Sequence, residues 1–202
     1  YDGAMTARYE LAPLRNLVAE FRVVGFDDAG HQAGLPYRDS TTFAAMAGIE
    51  FATDGVWRIR ALAGTQHRIY LDPALKAVNG PSTEVSVNWM PSGLTTVTAT
   101  LSRRIDDAAE PRIVSYIYSG LHLQVDHELY RNILLGGYMD LQRAEYQQVS
   151  GYETYYGYGM GATWLINRRL RASATWDWSQ RRPSIGPWSS EGVGMLRLRF
   201  AM

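Results

Sequence analysis

The chain contains no cysteine. A disulfide framework, a thiolate metal site and a thiol nucleophile are all excluded. The absence also suits a protein exported through an oxidising periplasm. Lysine is nearly missing: Lys76 is the single one, so arginine carries the positive charge. Acid and base balance, 20 Asp+Glu against 20 Lys+Arg, for a formal net charge of +0. A nucleic-acid-binding surface needs a basic excess, so nucleic acid is not expected as a partner. Four histidines are left for imidazole chemistry. No run approaches the ~20 consecutive apolar residues of a transmembrane helix. The chain opens at Tyr1 with no charged-then-apolar leader. A signal segment is therefore expected to have been cleaved, or a longer protein to continue before it.

What the chain has is aromatics, 13 Tyr and 6 Trp in 202 residues, and a period of two. The last segment, Val193 to Phe200, shows the pattern. Leu196, Leu198 and Phe200 alternate with Met195, Arg197 and Arg199, which places an apolar row and an arginine row on opposite faces of a strand. Ten earlier segments follow the same rule. They are Ala4–Leu11, Leu17–Phe26, Thr42–Ala52, Trp57–Tyr70, Ser82–Trp89, Leu94–Ile105, Ile113–Val125, Ile133–Tyr146, Glu153–Leu165 and Leu170–Gln180. Tight turns near Pro13, Gly55, Ser92, Leu129 and Arg168 alternate with longer polar linkers near His31, Ala74, Asp107, Val149 and Ile185.

The strict alternation of short and long connections predicts an all-β, up-and-down antiparallel transmembrane barrel in one domain over 1–202. A Greek-key sandwich would break the rhythm with long crossovers. Eleven strands is an odd number. A chain whose last strand ends in the periplasm on an aromatic needs at least one earlier strand. The expectation is thus the C-terminal part of a larger barrel of 12 or more strands, since an open edge in lipid leaves backbone groups unpaired.

Four stretches resemble a known family. They are Trp89 to Thr98 (Trp-Met-Pro-Ser-Gly-Leu-Thr-Thr-Val-Thr), Val125 to Leu135, Trp164 to Leu170, and the closing Leu196 to Phe200. Over roughly the C-terminal two-thirds, the chain is similar to the outer-membrane family called putative β-barrel porin 2. The chain departs from the usual ending in that Ala201 and Met202 follow Phe200. The resemblance implies a bacterial outer-membrane location in a Gram-negative cell and members longer than this chain. It also implies occurrence in alphaproteobacteria, sometimes beside exopolysaccharide genes. Outer-membrane lipid, the barrel-assembly machinery and other envelope proteins are the partners it implies.

Parity assigns Arg8, Glu20, Arg22, Glu50, Arg58, Arg60, Glu84, Arg104, His122, Asp140, Arg171, Asp177, Arg197 and Arg199 to the inner, pore-lining face. Glu10 and Arg68 share that parity. Two readings stand: opposite charges paired across strands to hold the shape, or a lining that selects an anionic or sugar solute. Trp57, Trp89, Tyr156, Tyr158, Trp164, Trp176, Trp178 and Phe200 fall on the other face, as membrane-interface aromatics. Gly157, Gly159 and Gly161 form an inward row that leaves room for a bulky side chain or permits curvature.

No catalytic residue, metal site or cofactor is expected. Ser115 and Ser119 have the opposite parity from His122, so no triad assembles. His127 is read as a hydrogen-bonded turn residue. Asp27-Asp28 and Asp106-Asp107 lack calcium-loop spacing. The function expected is a passive pore or export conduit for small polar solutes or polysaccharide. A non-conducting structural barrel that scaffolds envelope proteins is the alternative, and a soluble β-sandwich binding module the second alternative.

Overall fold

The computed structural model describes residues 1–27, 37–108 and 113–200. Asp28, His31, Ala201 and Met202, named above, lie outside the described residues. Eleven strands follow one another: β1 (Asp2–Ala12), β2 (Arg15–Phe26), β3 (Ser40–Ala52), β4 (Trp57–Tyr70), β5 (Val78–Ser92), β6 (Thr95–Asp107), β7 (Ser115–Tyr130), β8 (Ile133–Gln147), β9 (Tyr152–Leu165), β10 (Leu170–Pro183) and β11 (Ser189–Phe200). They form one sheet in sequence order, every neighbour antiparallel.

Several boundaries differ from the pattern-based ones. β5 begins at Val78, so the loop expected to reach Pro81 ends before β5. Pro81 is tolerated in this strand because the ladder to β6 stops at Thr83–Arg103 and leaves β5 unpaired on that side above it. β7 continues to Tyr130, so the turn expected over Asp126 to Asn132 shrinks to Arg131-Asn132. β10 and β11 also extend further toward their shared loop. In β7, β10 and β11 the added residues are mostly polar. Strand ends that rise into water keep pairing without needing the apolar alternation that marks them in hydrocarbon.

The two faces separate as the alternation requires. Leu196 is 86% exposed, Leu198 71%, Met160 62% and Trp176 39%. These side chains do not form a dry protein core, which removes the sandwich alternative. The small apolar cluster of Val18, Met46 and Leu62 lies instead on the inner face, among charged neighbours.

One region departs from a simple cylinder. Beyond the Thr83–Arg103 fork, the long-loop ends of β6 and β7 lean across the inner face of β4 and β5. Ile105 and Ile117, on the outer-face parity of their own strands, pack there with Tyr70 and Val78. Gln66 Oε1 accepts from the Ile105 amide at 2.8 Å, Arg68 Nη1 donates to Asp107 at 2.5 Å, and the Tyr70 hydroxyl donates to Ser115 at 2.6 Å. The inner space at this end is therefore filled by the chain's own strands.

β3 and β4 come into close backbone contact at two inward glycines. A Cβ on Gly48 would lie 1.8 Å from the Ala61 carbonyl oxygen, and one on Gly64 1.9 Å from that of Ala45. Backbone, not a movable side chain, occupies that space. Gly48→Val and Gly64→Val should each prevent folding, read as loss of the heat-modifiable band shift in gels. Gly194→Val, where nothing lies within 4 Å, should fold normally. A folded Gly64→Val protein would show that this close approach is not required.

Candidate functional site: the inner face

All fourteen residues assigned to the lining lie on one face of the sheet, by the register of successive strands. The structure divides them into three groups of different character.

The first group is an ion-pair network on β1–β5. Its hub is Arg60, which bonds Glu20 at 2.6 Å, contacts Glu50, and reaches Glu84 at 3.7 Å. Arg22 bonds Glu20 at 2.7 Å and reaches Glu84 at 3.7 Å, and Arg8 bonds Glu50 at 3.2 Å. Three arginines meet three glutamates, so the cluster is internally neutral. The Glu20 side chain is only 4% exposed, and two guanidiniums take the place of its water. Here the geometry follows the pairing reading.

The second group is an acidic wall on β7–β10. His122 Nδ1 lies 2.8 Å from Asp140, and its ring stacks on Tyr138 with centroids 6.3 Å apart. The Tyr138 hydroxyl donates to Asp177 at 2.7 Å. This bond spans two strands because Gly159 stands between them, paired with both residues. A Cβ there would sit 2.5 Å from Asp177 Oδ1 and from the Tyr138 ring. The inward glycine row thus makes room for a bulky side chain. Gln124 donates to Asp126 at 2.8 Å beside this cluster. The same groove is lined by Thr175, Gly136 and Gly161.

The third group lies on β10–β11 at the short-turn end. Arg171 is directly opposite Arg199, and Arg197 is opposite Ser173. Among the described residues none of these three arginines has a carboxylate partner; Arg197 donates only to the Met195 sulfur, at 3.4 Å. Arg58 faces inward at the same end, on β4. Arg104, at the other end, lies 4.6 Å from the Tyr118 ring centroid and bonds Asp106 at 2.9 Å.

Sequence reasoning concentrated on charges and missed the inner tyrosines. Tyr116, Tyr118, Tyr138, Tyr146 and Tyr155 all share the inner face. Their parity was visible in the sequence, but the abundance of aromatics pointed to membrane girdles. The assigned outer aromatics do face outward. Trp57 stacks on Trp89 at 5.3 Å at the short-turn rim, where Trp164 and Phe200 also lie. Tyr156 lies toward the opposite rim. Tyr158 and Trp176 sit at mid-strand instead, and Tyr158 packs on Trp176 and Trp178 at 5.6 and 4.9 Å.

No serine hydroxyl reaches His122. Ser119 lies on the opposite face, where it accepts from Arg103 at 2.5 Å. His127 bonds Thr95 at 2.9 Å, though it lies in β7 rather than in a turn. Asp106 and Asp107 are each held by an arginine, Arg104 and Arg68. Among the described residues no three His, Asp or Glu cluster as metal ligands.

An up-and-down sheet with a lipid-compatible outer face, a charged inner face and alternating turn lengths defines a porin-like β-barrel of the bacterial outer membrane. The chain belongs to the putative β-barrel porin 2 family, matching it over residues 2–201. Among solved structures it is similar to a loop-deletion mutant of OmpT, an outer membrane protein of Vibrio cholerae. The identity is 13% and the TM-score 0.50, over 98% of this chain and 62% of that one. It is also similar to a porin, at 16% identity and a TM-score of 0.45, over 95% and 60%. The chain thus spans under two thirds of the length of these barrels. No curated protein matches it.

Two predictions follow from this geometry. Arg60→Ala strands the buried Glu20 carboxylate with one partner and should cost about 2–4 kcal/mol in urea unfolding from lipid or detergent. Arg8→Ala removes a half-exposed pair and should cost under about 1 kcal/mol. Equal costs would show that Arg60 is not the hub. In the loop after β4, Asp72 accepts from the amides of Ala74 at 2.8 Å and Tyr37 at 2.9 Å, which hold its carboxyl below the ordinary range. A depressed acid stabilises above its unfolded pKa, ~3.9, and the gain is lost as pH falls through the lower folded value. Protection of the Tyr37 and Ala74 amides, taken relative to intrinsic exchange at each pH, should hold at pH 5 and fall only below pH ~3.9. Loss of protection already above that pH would rule out this tether.

Proposed function

We propose that the protein is a non-enzymatic passive pore for small polar solutes, with a preference for anions, and that it forms part of a larger closed barrel. The unpartnered arginines Arg171, Arg197 and Arg199 carry this reading. A neutral network needs no solute, whereas three inward guanidiniums at one mouth attract mobile anions. Arg15, Arg58, Arg131, Arg168 and Arg169 add to the positive potential at that end. Closure by further strands is supported by the two free edges, since β1 pairs only with β2 and β11 only with β10 among the described residues. An export route for an anionic polysaccharide would use the same chemistry.

A non-conducting scaffold for envelope proteins is favoured by one observation. The packing of Ile105 and Ile117 on β4–β5 fills the inner face at the long-loop end.

Planar bilayers separate the two readings. The full-length protein should give discrete conductance steps, and its reversal potential in a KCl gradient should report anion preference. Changing Arg171, Arg197 and Arg199 together to Gln should abolish that preference while leaving the steps. Complete absence of steps supports the scaffold; steps with unchanged selectivity in the variant remove the arginines from the filter.

A further inference from the structure

The outer face is almost free of charge on β1–β5, where Arg15 at the short-turn rim is the single Arg, Lys, Asp or Glu among the described residues. On β6–β10 the picture changes. Arg103 is opposite Ser119, Ser119 opposite Arg143, Arg143 opposite Thr154, and Thr154 opposite Arg182. Three arginines therefore share one cross-strand row on the face that meets lipid. Glu145 pairs with two of them, at 3.1 Å to Arg143 and 3.5 Å to Arg103. Arg182 has no carboxylate partner among the described residues. Three positive charges against one negative leave a surplus.

Isolated arginines at hydrocarbon depth would be costly. These lie toward the long-loop end, which is the outward end in barrels of this kind. Aromatic rings hold two of them in place. The Arg143 guanidinium lies 4.2 Å from the Tyr152 ring centroid, and that of Arg182 lies 5.4 Å from Tyr156 and 5.9 Å from Trp188. Stacking on a ring leaves the in-plane N–H donors of a guanidinium available. Toward mid-strand from the row, Leu141, Tyr156, Tyr158, Met160 and Trp178 make a continuous apolar wall.

We propose that this row binds the phosphorylated headgroup of an outer-leaflet lipid. Arg143 and Arg182 stand two strands apart, roughly 10 Å, on one face. Their planar forks suit phosphate oxygens, and the Thr154 hydroxyl between them supplies a further donor. The acyl chains run along the wall formed by Leu141, Tyr158 and Met160. The site rests on the outer-membrane placement of the protein and not on conduction through it.

The test uses the full-length protein purified in a non-ionic detergent. Retention of a doubly phosphorylated outer-leaflet lipid is compared with that of the same lipid after enzymatic removal of its phosphates, by native mass spectrometry. The wild type should prefer the phosphorylated form at least tenfold. The double change Arg143→Gln with Arg182→Gln should lower that preference about tenfold, and Arg15→Gln should leave it unchanged. Thr154→Glu keeps every arginine and should also weaken retention, by placing a carboxylate in the row. A heat-modifiable band shift verifies folding of each variant. Equal retention of the two lipids, or variants that bind like the wild type, overturns the proposal. Displacement of the lipid by millimolar inorganic phosphate also overturns it, because it would define a free-anion site. Bilayer conductance of the same variants should match that of the wild type, so failure of the pore reading and failure of this one are told apart.

Discussion

Hydrocarbon offers no hydrogen-bond partner to a peptide group, and this constraint governs the whole chain. Each unpaired N–H or C=O in lipid costs several kcal/mol, so a spanning β structure must satisfy its backbone within the sheet. Ten antiparallel ladders do so here, from β1 to β11 without a crossover. The constraint fixes the continuous ladder and, with it, the alternation of side chains between two faces. It says nothing of which polar residues occupy the inner face, and that is where the protein has been free to specialise.

The specialisation is a division of charge. On β1–β5 acids and arginines neutralise one another around Glu20, which rigidifies the wall and cancels its field. On β7–β10, Asp140 and Asp177 face His122 and Tyr138 with no arginine bound to either. On β10–β11 arginines face one another without acids. Paired charges shape a wall, whereas unpaired ones leave a field at its surface. The same distinction applies outside, where Arg103 and Arg143 share Glu145 while Arg182 has no carboxylate partner among the described residues.

Much of this was legible in the sequence because a period of two is a local signal. The faces of Arg197 and Leu196, or of Asp140 and Met139, follow from parity alone. Register was not legible, since it depends on turns and bulges several residues away. Without it, nothing in the sequence joins Arg60 to Glu20, forty residues distant, or carries Tyr138 over Gly159 to Asp177. The ends of β5, β7 and β10 were read short for a related reason. In water a strand needs pairing but no apolar face, so its pattern fades before its hydrogen bonds do.

The fork at Thr83–Arg103 lies beside the approach of β6 and β7 to the inner face of β4 and β5. In a closed barrel, strand number and shear together set the radius, and curvature is shared around the ring. A sheet with two free edges has no such condition. Its inner faces can approach until they touch. The contact of Ile117 with the open space at Gly80 is such a touch. An apolar outer-parity side chain that meets another strand's inner face has left the lipid, and burial rewards the exchange at about 25 cal/mol per Å² wherever water would otherwise fill the gap.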